Sequence, residues 1–158
     1  MGKPRPFSLE DEIQTFMPHD TYEESARALD PVRRRNQRNE CKVILKTLLG
    51  MYPATKTGRP GGWPYHPATK MWKGHEYALS TYALAVCKAC VDDGWVNGDL
   101  TAFFEEVRNS LEPGGCPTWM GSFAFHESHR SNLIRKDPTY YRPKWPGVPD
   151  DLPYVWPQ

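Results

Sequence analysis

Asp30 to Gly50, DPVRRRNQRNECKVILKTLLG, decides how this chain folds. Asp30 can cap a helix start, and Pro31 suits the first helical position. Gly50, after Leu48 and Leu49, is a stop signal. The stretch between them predicts one long helix with two unlike halves. Cys41, Val43, Ile44, Leu45, Leu48 and Leu49 are core material, whereas the first half carries Arg33, Arg34, Arg35 and Arg38. At about 100° per residue, Arg33, Gln37, Glu40, Ile44 and Leu48 fall in one stripe. One face therefore runs from core into a basic, polar cleft, and Glu40 stands where the two meet. Burial there would raise a glutamate pKa and nearby arginines would lower it, conditions that suit a general acid or base. The plain alternative, for this stretch taken alone, is an exposed helix with ordinary charge pairs and a solvated Glu40.

Upstream, residues 1–12 read as a loose arm rich in Pro and mixed charge. Ile13 to Pro18, IQTFMP, is a short apolar segment able to pack on the core, followed by a short helix, YEESARAL, capped by Asp20 or Thr21. Downstream, MYPATKTGRPGGWPYHP from Met51 to Pro67 is a loop. Its Lys56, Arg59, Trp63, Tyr65 and His66 interleave cations with aromatics, a mixture suited to backbone contact plus stacking on bases; a plain connector is the alternative. Pro67 begins a helical region bearing Lys70. His75 to Val91 is apolar all round, which describes a central covered helix. Residues 100–111 predict a peripheral helix and Ser122 to Lys136 the last one, stopped by Asp137-Pro138. On that last helix Phe123, Leu133 and Ile134 define the inward face. His126 and Arg130 share that face and His129 borders it, so these groups are either paired inside or line a cleft. Residues 138–158 read as a wrapped aromatic tail rather than a helix.

The length of 158 residues suits one domain with a real core. The expectation is an all-α, compact single domain over 13–158, with about three main helices plus short ones and long irregular Pro- and aromatic-rich ends. Sixteen Pro and 13% aromatic residues underlie those ends. No apolar run is long enough to span a membrane, and the polar residues 1–12 resemble no signal peptide. The net charge of +1 does not by itself announce nucleic acid, but basic residues gather at 33–38, 56–59, 70–73 and 130–144. One basic and one acidic face can bind a phosphate backbone without a high pI. Cys87 and Cys90 form a CxxC inside an apolar helix with no partner motif at zinc spacing, so the four cysteines read as core thiols and no metal site is expected.

The segments IQTFMP…SARALD, NQRNECKVILKTL, HPATKMWKGHEYAL, HESHRSNLIRKDPTYY and PGVPDDLPYVWP resemble small bacterial and phage proteins of the pyrimidine-dimer DNA glycosylase family, which includes the phage endonuclease V type. The resemblance runs from about Ile13 to Pro157. It implies a helical fold around bent double-stranded DNA with one nucleotide displaced from the stack. It also implies glycosylase chemistry in which an amine attacks C1′, forms a Schiff base and allows abasic-site lyase action. Glu40 matches the family's essential glutamate by position. The family's nucleophile is the α-amine next to the start methionine, whose place here falls at Ile13-Gln14, behind twelve further residues. Three readings stay open: Gly2 folds into the cleft, a side-chain amine such as Lys70 substitutes, or there is no lyase step. Arg33, Gln37, Arg38, His66, His126, His129, Arg130 and Lys136 are the expected DNA-contacting residues. The expected setting is cytoplasmic, in a bacterial cell or phage-infected host, with a monomer binding duplex DNA and no cofactor or membrane. A non-catalytic DNA-binding protein of the same fold, or a glycosylase for another modified base, are the competing functions.

Overall fold

The structure is a computed structural model and describes residues 13–54, 56–58 and 61–157. Among the described residues it is built from helices without strands. The arm expected over residues 1–12, and Gly2 with it, lies outside the described residues. The helices are α1 (Tyr22–Ala28), α2 (Pro31–Leu48), α3 (Pro67–Lys70), α4 (Glu76–Asp92), α5 (Leu100–Ser110), α6 (Phe123–Lys136) and α7 (Pro138–Tyr141).

The starts of these helices follow the local chemistry. Thr21 caps α1 through Glu24 N, Asp30 caps α2 through Arg33 N with Pro31 behind it, and Ser122 caps α6 through Phe125 N. Each cap satisfies an amide that has no partner inside its own helix. The tail departs from expectation at its start. Asp137 accepts from Tyr140 N and Pro138 opens a further turn, so 138–141 is a short helix rather than extended tail.

Packing puts α4 at the centre, against α1, α2 and α5. Its apolar residues Leu79, Tyr82, Ala83, Val86, Cys87 and Cys90 are buried with Ile44 and Leu45 of α2, Phe104 of α5, and Trp72 and Trp119 from the connections. A second, smaller cluster of Phe16, Leu29, Leu133, Ile134 and Tyr141 joins α6 and α7 to the extended segment 13–18. Trp72 stands edge-on to Trp119 at 4.9 Å between ring centres, and its Nε1–H donates to Thr15 Oγ1 at 2.9 Å. Cys41, Cys87 and Cys90 are buried free thiols, whereas Cys116 is exposed, against the expectation that all four are core residues. Phe123, expected on the inward face of α6, is 69% exposed. It is the first helical residue, so the chain turns before the buried stripe begins at Phe125, and its ring lies 5.6 Å from the Arg130 guanidinium instead.

The tail lies along α6, held by side chains rather than by a backbone ladder. Ser131 Oγ accepts from Leu152 N at 3.0 Å and Ser128 Oγ from Val155 N at 3.1 Å. Asn132 Nδ2 donates to Leu152 O at 3.2 Å, and Arg135 donates to Asp150 O at 2.6 Å. No helix of the described residues is long and apolar enough to cross a membrane.

Candidate active site

The segment 13–18 is threaded between α2 and α6, and its backbone is bonded by side chains on both. Gln37 Nε2 donates to Gln14 O at 2.6 Å, and Gln37 Oε1 accepts from Phe16 N at 2.7 Å. The Tyr82 hydroxyl lies 2.8 Å from Phe16 O and 3.0 Å from Gln37 Oε1. From the other side, Met17 N donates to His129 Nδ1 at 2.9 Å, and Met17 O meets His126 Nδ1 at 2.8 Å. Gly121 N donates to His126 Nε2 at 2.9 Å. His126 therefore carries its proton on Nδ1 and His129 on Nε2.

Glu40 closes this network. Its Oε2 accepts from Gln37 Nε2 at 3.0 Å and from Gln14 N at 3.2 Å. Burial pushes its carboxyl up to about 7, against the opposing pull of those two hydrogen bonds and of the Lys136 and Arg33 charges. Such a group can both accept and release a proton near neutrality. Desolvation outweighs the cations here because the carboxylate sits at the end of the apolar half of α2, next to buried Cys41 and Ile44.

The residues expected at the site fall into three groups. Arg33, Gln37 and Lys136 gather around Glu40: Gln37 by direct bond and the two cations by their charge. Arg33 is also paired with Asp30, Nη1 to Oδ1 at 3.1 Å. His66, His126 and His129 are buried; the latter two hold Met17, and His66 caps α3 by accepting from Ala68 N at 3.0 Å. None of the three presents an open ring to solvent. Burial holds their pKa values down, that of His129 to about 3. The third group lies elsewhere. Arg38 donates to Asn97 Oδ1 at 2.8 Å and Val96 O at 3.3 Å, beside the turn after α4, because two positions along a helix from Glu40 is over half a turn away. Lys70 is exposed at the end of α3. Arg130, half-buried, donates to Pro18 O at 2.6 Å.

Met17 and Tyr82 are members to which the sequence does not point, and Gln14 enters there only as the place of the family's amine. A glutamine and a threonine set inside the apolar run IQTFMP were the available signal. Among the described residues no group of three or more His, Cys, Asp or Glu side chains is placed to hold a metal ion.

A half-buried carboxylate is thus held between a long basic-ended helix and an extended strap. The family model for pyrimidine dimer DNA glycosylase matches residues 13–101, which span the strap, α1, α2, α3, α4 and the start of α5. The chain belongs to that family of DNA glycosylases. No curated protein and no solved structure matches it.

Proposed function

We propose that this protein excises pyrimidine dimers from double-stranded DNA, as a monomer, and cleaves the resulting abasic site through a Schiff base. The observation that carries the reading is Glu40, held between Gln14 N and Gln37 Nε2 with its carboxyl near 7 and two cations close by. In the reaction an amine attacks C1′ of the damaged nucleotide. A C1′–N bond forms while the glycosidic bond breaks, its electron pair leaving with the base. Glu40 takes the proton the amine gives up, and the sugar ring opens to the imine. Removal of a C2′ proton then expels the 3′ phosphate. Arg33 and Lys136 are suited to hold the flanking phosphates. Gly2 and Lys70 remain the candidate amines.

A second reading has its own observation. The nitrogen bonded to Glu40 is the peptide nitrogen of Gln14, which has no lone pair free to attack carbon. Glu40 would then activate water, giving a glycosylase without a lyase step.

Incubation with a UV-irradiated, end-labelled duplex, with and without borohydride, tests both. Strand cleavage with a trapped protein–DNA adduct supports the first reading, and peptide mapping of the adduct names the amine. Glycosidic cleavage, seen as strand breaks that appear only after alkali, with no adduct supports the second. Duplex binding with neither direct nor alkali-revealed strand breaks overturns both in favour of a non-catalytic DNA-binding protein.

A further inference from the structure

The loop after α2 holds its end more firmly than a plain connector needs. Thr47 Oγ1 donates to Val43 O at 2.7 Å and accepts from Trp63 N at 3.2 Å, which ties residue 63 to the last turn of α2. The chain then reverses over Trp63, Pro64, Tyr65 and His66, closed by His66 N donating to Trp63 O at 3.3 Å. Proline at the second position restricts the backbone of that turn, and His66 goes on to cap α3 through Ala68 N. Both ends of the turn are thus fastened. Between them Tyr65 is 72% exposed, and Trp63 is 40% exposed. The backbone carrying these two rings has little freedom left to lose on meeting a partner.

Position and charge say what that partner is. Thr47 follows Glu40 by seven residues, so both stand on one side of α2, about 10 Å apart along its axis. Arg33 precedes Glu40 by the same interval. Glu40, Val43 and Thr47 are all partly open to solvent, so this side of α2 is reachable along its length. Between Glu40 and Glu76 the sequence carries Lys42, Lys46, Lys56, Arg59, Lys70 and Lys73 and no acidic residue. Lys56, Lys70 and Lys73 are exposed, and Lys46 Nζ lies 4.7 Å from the centre of the Tyr52 ring in the same loop. Cations without an acid among them, beside exposed aromatic rings, complement a polyanion built on stacked planar groups.

We propose that the turn at Trp63–His66 is a second grip on duplex DNA. Tyr65 enters the base stack as a wedge about three base-pair steps from the nucleotide at Glu40, and the lysines hold the phosphates of that flank. Stacking is tolerant of sequence because every base has a face to offer. The wedge therefore fixes the register of the duplex along α2 and reads no base. Arg33, as far from Glu40 in the other direction, takes the opposite flank. The contact itself rests only on the chain binding DNA, whereas its distance from the lesion rests on the reading of Glu40 given above.

Binding is measured in the full chain carrying Glu40→Gln, which keeps the duplex whole, alone and combined with Tyr65→Ala or Tyr65→Trp. Each duplex carries one thymine dimer and a single 2-aminopurine, moved pair by pair along both flanks. The fluorescence of 2-aminopurine reports any change in its stacking. A change is expected about three pairs from the dimer on one flank, separate from any at the dimer itself. Tyr65→Ala is expected to lose that distant signal and to weaken binding about tenfold. The slope of affinity against salt is expected to stay, because no phosphate contact is lost. Tyr65→Trp is expected to keep both signal and affinity. At 72% exposure the ring can be removed without disturbing the core, so Tm is expected to stay as well. A distant signal and an affinity that both survive Tyr65→Ala overturn the wedge, whatever the cleavage assay above shows. A signal that depends on Tyr65 only at the dimer overturns its placement. If the distant signal and the affinity depend on Tyr65 while wild type gives neither direct nor alkali-revealed breaks, the grip stands and the glycosylase reading falls. No duplex binding by any of these chains overturns both.

Discussion

Glu40 carries opposite consequences for folding and, in the proposed reaction, for turnover. Its carboxyl is raised from 4.5 to about 7, so the ionised form is the costly one in the folded chain. Sign follows from linkage: the contribution is most favourable below about 4.5 and is lost as pH rises through 7, by about 3 kcal/mol in total. Glu40→Gln, which retains an acceptor for Gln14 N, is expected to lack this loss. Urea midpoints at pH 5 and pH 8 should converge for the variant and stay apart for wild type, once the change common to both is subtracted. The proposed glycosidic cleavage should run the other way. Wild-type kcat/KM is expected to climb with pH through about 7, and Glu40→Gln to fall by about a hundredfold or more, the range for loss of a general base. Tyr141 offers a purely structural counterpart. Its hydroxyl donates to Asp30 Oδ1 at 2.5 Å and accepts from Asp30 N at 2.8 Å, both buried. Tyr141→Phe leaves Asp30 N without its partner and Oδ1 with Arg33 alone, and is expected to cost about 1–3 kcal/mol in denaturant unfolding.

Among the elements, α2 was the most legible. Its Asp30-Pro31 start is as expected, and its end at Leu48 lies two residues before Gly50. The stripe Arg33, Gln37, Glu40, Ile44 also falls where helical periodicity puts it, with Gln37 and Ile44 buried and Arg33 close enough to act on Glu40. The short helix at 138–141 was missed because it hangs on a single side-chain cap and one proline, a signal too local to outweigh the aromatic composition around it. On α6 the periodicity identified an unusual polar stripe but not its occupant. A helical wheel shows that His126 and His129 face inward; it does not show that the backbone of Met17 is what they face. That tie has a checkable signature. His129 is held down from 6.5 to about 3 by burial, so its contribution is intact above 6.5 and is lost as pH falls towards 3. His129→Asn retains an acceptor for Met17 N and cannot titrate. It is expected to be less stable than wild type at pH 7 but to lose less between pH 6.5 and 4, in thermal melts at each pH. In the loop after α2, Gly62 sits at φ +79, and a Cβ there would lie 2.2 Å from Thr47 Oγ1. That same hydroxyl accepts from Trp63 N at 3.2 Å, so this turn depends on a glycine that simple loop composition could not single out.

For the whole molecule, sequence and structure agree on a helical body. The site was only half visible, because its other half comes from residues 14–17, some twenty-five positions away from Glu40. No periodic pattern reports that a strap will be laid across a helix; only the pairing of Gln37 with the backbone of Gln14 and Phe16 does. Charge distribution bears on DNA binding at this scale. With a net charge of +1, affinity for duplex must come from local cation groups, and it should fall steeply as salt rises. Arg130→Ala is expected to weaken binding similarly for every sequence and to lower the salt slope by about one, the change for one lost phosphate contact, in fluorescence anisotropy titrations from 50 to 200 mM salt. An unchanged slope would restrict Arg130 to its bond with Pro18 O.

Asp150, Leu152 and Val155 are fastened to α6 by Ser128, Ser131, Asn132 and Arg135, spaced along one side of that helix. Deuterium uptake should therefore be slow at the Leu152 and Val155 amides although neither lies in a helix or sheet. Replacing Ser131 by Ala should release Leu152 first, and because Arg135 holds Leu152 O as well, at 2.8 Å, labelling at Val155 should quicken only when the tail as a whole peels away.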